Sequence, residues 1–215
     1  TRYIGVTGVQ TCALPISLGT ASVMQGCIPV FVGGAGVAVA MTADRRSSGA
    51  YVDDESIEWK AGKWINDSLG DKVHVNATSF NRKLLLTGEA FNEASREEAG
   101  RLAASVDNVR EVVNELRVAP TSTLTARTND SYISSKVKAR FVDQKDFHIQ
   151  QVKVVTEAGT TYLLGLVSQR EGDAATEIAR TTKGVQKVVR VFEYISEEEA
   201  RRLDGSNRSA DSSTK

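Results

Sequence analysis

The chain has 215 residues, 40% of them hydrophobic and 25% charged, a composition that suits one sizeable globular domain or two small ones. Its 27 lysines and arginines balance 27 aspartates and glutamates, so no global field draws it to nucleic acid, and any anion site must rest on a local patch. Aromatic residues make up 6%, too few for a base-stacking platform, and the two cysteines, Cys12 and Cys27, precede the segments with folded patterning, which excludes a disulfide framework or thiolate metal site there.

Residues 1–17 carry one charge, Arg2, and no initiator Met, and they read as an adapter-like, non-native segment. Residues 18–27 are apolar and rich in small residues, and they close on Met24-Gln25-Gly26-Cys27. This resembles the lipobox of bacterial lipoprotein signals. The small Gly26 admits the peptidase, and the thiol of Cys27 is the nucleophile that takes the lipid. Met24 stands where leucine is usual, and Ile28 rather than aspartate follows the cysteine, the pattern that resembles outer-membrane sorting. The apolar run after Cys27 is shorter than the ~20 residues of a membrane-spanning helix. Residues 28–51 are therefore expected to be a flexible tether.

The rest is a repeat. Residues 52–118 and 129–195 share one pattern, joined by a linker over 119–128 with Pro120 and several Ser and Thr. Each copy opens with an acidic or amide pair expected to cap a helix, Asp53-Asp54 and Asn129-Asp130. In the first helix Ile57, Ala61, Trp64, Ile65 and Leu69 recur at helical spacing, and Trp59 and Trp64 are expected to serve the core. In its counterpart Ile133, Val137 and Phe141 make the buried stripe. Two strands follow in each copy, as a hairpin. The second strand carries a structural glycine, Gly88 or Gly165, displaced by 77 positions (165 − 88) and expected to lie under the helix that follows. A second helix (93–106 and 171–182) and a last strand (109–116 and 185–192) complete the copy. The fold class is α+β: two tandem α-β-β-α-β units, each a small mixed three-stranded sheet covered by two helices, the last strand parallel through a right-handed crossover. At roughly 65 residues each, the copies are near the lower limit for independent folding and are expected to lean on each other. After Ile195, a short helix to Leu203 and a polar tail to Lys215 are expected.

The α-β-β-α-β unit with a glycine in its second strand resembles the BON (bacterial OsmY and nodulation) domain. The resemblance is carried by Val52-Asp53-Asp54, by Asn129-Asp130-Ser131-Tyr132-Ile133-Ser134-Ser135-Lys136-Val137-Lys138 and by Leu164-Gly165-Leu166-Val167-Ser168-Gln169-Arg170-Glu171. Two such units behind a lipobox are similar to the dual-BON outer-membrane lipoproteins of Gram-negative bacteria. The resemblance implies a non-enzymatic, lipid-anchored protein facing the periplasm that binds anionic phospholipid (phosphatidylglycerol, cardiolipin), gathers at the division site and supports envelope integrity. It places the lipid contact on the first helix of the second unit, where the family has tryptophan and this chain has Tyr132.

Taken alone, that helix offers Tyr132, Ser135, Lys136 and Ala139 on a face away from the core stripe, with Lys138 and Arg140 flanking. The three cations are a local basic cluster in a neutral chain. On the residues alone they form either a solvated face or one that attracts anionic lipid; the resemblance favours the second. No cofactor or metal is expected. His74 and His148, the only histidines, lie in no paired-carboxylate or metal-ligand spacing, and no nucleotide loop is visible. The alternative function is a periplasmic adaptor that binds outer-membrane assembly proteins or serves a stress response.

Overall fold

The computed structural model describes residues 44–212, with side chains through residue 205. The expectations for residues 1–43, including Cys27 and the lipobox, lie outside the described residues.

Helix α1 (Ser48–Leu69) starts where the Ser47 hydroxyl accepts the Ala50 amide. β1 (Val73–Phe80) and β2 (Lys83–Ala90) form an antiparallel hairpin. α2 (Glu93–Ala104), capped by the Asn92 side chain, crosses over to β3 (Glu111–Asn114) and β4 (Arg117–Val118), which both run parallel to β2. The second copy repeats this order: α3 (Leu124–Asp143), β5 (Val152–Glu157), β6 (Thr160–Val167), α4 (Gln169–Arg180) and β7 (Lys187–Tyr194). β5 is antiparallel and β7 parallel to β6. The two sheets are thus the small mixed sheets read from the repeat. α5 (Glu197–Ser212) continues past Leu203 into the expected polar tail.

The acidic pairs are not helix caps. Ser47 and Thr123 cap the helices upstream, so 124–128, read as linker, are helical. Asp54 and Asp130 instead lie inside their helices, buried, and reach the hairpin turns. Asp54 accepts the Ser79 hydroxyl at 2.6 Å and the amides of Asn81 and Arg82 at 2.8 and 2.7 Å. Asp130 accepts the amides of Ala158 and Gly159 at 2.8 and 3.0 Å. Both turns have positive φ at their two central residues. That is the twist-matched two-residue turn, and its inward amides would be orphaned without the carboxylate.

Gly88 and Gly165 are crowded by backbone, but not by the following helix. A Cβ on Gly88 would stand 2.1 Å from the His74 carbonyl oxygen of the neighbouring strand, and φ there is +118°. At Gly165 the intruder is the Gln151 carbonyl oxygen, 2.4 Å away.

Helices cover one face of each sheet. Ile57, Ala61, Ile65, Leu84, Leu86, Ala99 and Ala103 form the first core, and Val137, Phe141, Val152, Val154, Leu163 and Ala175 belong to the second. Trp59, 66% exposed, and Trp64 at 37% stay outside, because Ile57, Ala61 and Ile65 already fill the inner stripe of α1. The opposite faces of the two sheets meet. Phe80 and Leu85 from the first pack with Tyr162, Leu164, Leu166 and Val191 from the second. This explains the near-continuous apolar runs of β2 and β6: a central strand buried on both faces cannot alternate with polar residues. Polar pairs ring the joint. Asn76 donates to Glu157 at 3.0 Å, Asn81 to Glu193 at 2.9 Å and Lys153 to Glu58 at 2.5 Å.

A further clasp comes from residues read as tether. Arg45, ahead of the first unit, lies buried on the second. It donates to both Glu171 carboxylate oxygens (2.7 and 2.8 Å), both Asp204 oxygens (2.9 and 2.8 Å) and the Leu166 carbonyl (3.1 Å).

Candidate membrane-facing helix

α3 divides into two stripes. Asp130, Ile133, Val137 and Phe141 point inward and are buried. Opposite them Leu124, Tyr132 and Val142 stand 78%, 62% and 66% exposed. Thr128, Ser135 and Ala139, also exposed, lie between them at three- and four-residue steps. The result is an apolar-studded ridge whose intervening residues are small. Leu124 and Val142 were not singled out from sequence. The first was assigned to the linker, and recognition of Thr123 as the cap would have placed it on this ridge.

The three cations do not form one patch. Lys136 lies 4.6 Å from the Tyr132 ring centroid and donates to the Lys183 carbonyl. Arg140 donates to the Ile178 carbonyl at 2.7 Å and to the hydroxyls of Thr181 and Thr182 at 3.0 and 2.8 Å. Both are therefore committed to the C-terminal end of α4, where free carbonyls favour cations. Lys138 leaves the helix on the other flank, into a cleft shared with Lys153. Burial, then the charge of Lys153, lowers its pKa. Tyr132, Ser135 and Ala139 remain together; the Ser135 hydroxyl donates to the Ser131 carbonyl at 3.0 Å.

His74 does meet a carboxylate, which sequence spacing did not reveal. Cross-strand pairing sets it opposite Glu89, with Nδ1 3.3 Å from the carboxylate. Arg117 lies 3.3 Å from the other Glu89 oxygen. Glu157 lies nearby: burial pushes its carboxyl up, the Asn76 hydrogen bond opposes this, and Glu89 and Asp130 add to the rise. At the joint between the sheets, burial and then Glu115 push the Tyr162 hydroxyl up to about 12. Among the described residues no group of three or more His, Cys, Asp or Glu is placed to hold a metal ion, and no helix is long and apolar enough to cross a membrane.

With this geometry in place, comparison with known proteins identifies the repeat. The BON domain family matches residues 53–120 and again 129–196. The chain is 37% identical over 185 residues to the outer membrane lipoprotein DolP of Haemophilus influenzae, covering 85% of this chain and 95% of that protein. It is 34% identical to a 21 kDa hemolysin of Actinobacillus pleuropneumoniae, over 71% of this chain and 79% of the relative. Similarity also extends to the osmotically inducible protein Y of Escherichia coli, at 29% identity over 65% of this chain and 72% of that one. Two BON matches, and identity of this extent to a protein covered almost end to end, show that the chain belongs to the dual BON-domain DolP family.

Proposed function

We propose that this protein is a non-enzymatic outer-membrane lipoprotein, anchored through Cys27 and facing the periplasm, that binds anionic phospholipid with the outer ridge of α3. In this reading it supports envelope integrity, at the division site. The single observation that supports the lipid contact is the exposed ridge of Leu124, Tyr132 and Val142. Aliphatic side chains and an amphipathic ring suit the headgroup boundary, and Lys136 beside the Tyr132 ring adds attraction to anionic lipid. Outer-membrane residence draws on the 37% identical DolP relative, and the lipid anchor on the Gly26-Cys27 pair.

The test is flotation of the full chain with vesicles of phosphatidylglycerol and cardiolipin against vesicles of phosphatidylcholine. Binding is expected to the anionic vesicles, and Tyr132→Asp and Leu124→Asp should each weaken it about tenfold or more. Undiminished binding by both variants would overturn the assignment to α3. Palmitate labelling in cells, with a complete signal peptide, should disappear in Cys27→Ala. A second reading, an adaptor for outer-membrane assembly proteins, draws on Phe91 and Trp59, 77% and 66% exposed on the first domain. It predicts capture of such a protein that survives the Lys136→Glu, Lys138→Glu double change.

A further inference from the structure

The cleft that receives Lys138 lies between the two domains and encloses about 410 Å³. That falls within the ~300–1,000 Å³ typical of small-molecule sites. Phe80 from the first domain and Val152 from the second, both buried, supply apolar wall. Tyr51 and Ile149 extend it.

The charges lining the cleft are unequal in availability. The Arg46 guanidinium carbon lies over the Tyr51 and Phe80 rings, 4.9 and 4.3 Å from their centroids. It is also spent on carboxylates, Asp44 at 2.6 Å and Asp54 at 2.8 Å. Lys153 is spent on Glu58 and the Ser79 carbonyl. Lys138 has no ion-pair carboxylate among the described residues, and the charge acting on it is a second lysine. Glu55, exposed on the cleft lining, opposes every anion and a multiply charged one most, so a single negative charge seated at Lys138 is the best tolerated. An apolar wall with one uncompensated cation complements an aliphatic chain bearing one negative charge.

We propose that this inter-domain cleft binds a single-chain monoanionic amphiphile, its tail against Tyr51, Phe80, Ile149 and Val152 and its head at Lys138. The site is separate from the outer ridge of α3 and does not depend on it. Lys138 serves the cleft, and a bound anion relieves its repulsion with Lys153.

Decanoate, decanol and acetate, titrated into the full chain below the micellar range and followed by side-chain NMR and calorimetry, test this. Decanoate should shift the signals of Tyr51, Ile149 and Val152. Decanol still offers an oxygen to Lys138 but no charge, so it should bind about tenfold more weakly, and acetate, with no tail, should not bind. Lys138→Gln should bring decanoate down to the decanol level, and Lys138→Arg should restore it; circular dichroism checks the fold of both variants. Tyr132→Asp should leave decanoate binding intact even where it abolishes vesicle binding, which separates the two sites. Equal affinity for decanol and decanoate, a silent Lys138→Gln, or shifts confined to Tyr132 and Leu124 would each overturn the proposal.

Discussion

Replacing Arg45 with methionine removes a side chain that is 1% exposed and whose five N–H groups make five hydrogen bonds. The aliphatic volume is roughly kept, so the loss is electrostatic. Glu171, 6% exposed at the side chain, loses both guanidinium bonds, and Asp204, at 29%, loses its ion pair but keeps Gln151. Orphaning a buried carboxylate costs about 3–5 kcal/mol, and the partial exposure of Asp204 places this case near the lower end. Urea unfolding followed by circular dichroism at pH 7 measures the loss. Hydrogen exchange over residues 160–180 shows whether it falls on the second domain. The effect should shrink in acid. Burial pushes the Glu171 carboxyl up, but hydrogen bonds from Arg45 and the Ser168 amide outweigh this and hold it below the ordinary range. A depressed pKa contributes stability above the unfolded value, about 4.3, that is lost as pH falls through the folded value. The parent and Arg45→Met curves should therefore begin to converge as pH falls below the unfolded value, about 4.3, and go on converging through the folded one. Adding Glu171→Gln should recover part of the loss while keeping an acceptor for the Ser168 amide. A loss under ~1 kcal/mol at pH 7, or one unchanged in acid, would refute the reasoning.

Gly88→Ala should destabilise the first domain by at least ~2 kcal/mol, because alanine must hold positive φ and its Cβ meets a backbone carbonyl that cannot retreat; Gly165→Ala meets the crowding without that φ and should cost less in the same urea assay. Tyr162 should titrate near pH 12, seen as a late absorbance step that Tyr162→Phe removes. Its raised pKa contributes stability that is complete below the ordinary tyrosine value, about 10, and lost as pH rises toward 12, so the joint between domains should loosen in that alkaline window.

The repeat and its strands were legible because period-two and period-three-to-four patterns survive in Val73-to-Ala90 and Val152-to-Val167. The face-to-face sheets were only half legible. Leu84, Leu85 and Leu86 announce burial, but nothing local says that Leu85 meets the other domain. Asp54 and Asp130 looked like caps because aspartate is common there; their real partners, turn amides, lie 27 to 29 positions on. Arg45 was unreadable for the same reason, since Glu171 is 126 positions away. The cation cluster was misjudged on helix geometry. Lys136 and Arg140 share a flank at four-residue spacing, while Lys138, two residues from each, cannot.

The Arg45 clasp also fixes a load path. Tension applied to the chain ahead of Asp44 reaches the guanidinium before it reaches α1, and passes through Glu171 into α4 and through Asp204 into α5. A second strand of the same path runs through Arg46, which ties Asp44 to Asp54 inside α1. A pull from the N-terminal side is thus divided between the two domains at their shared edge and does not fall on α1 alone.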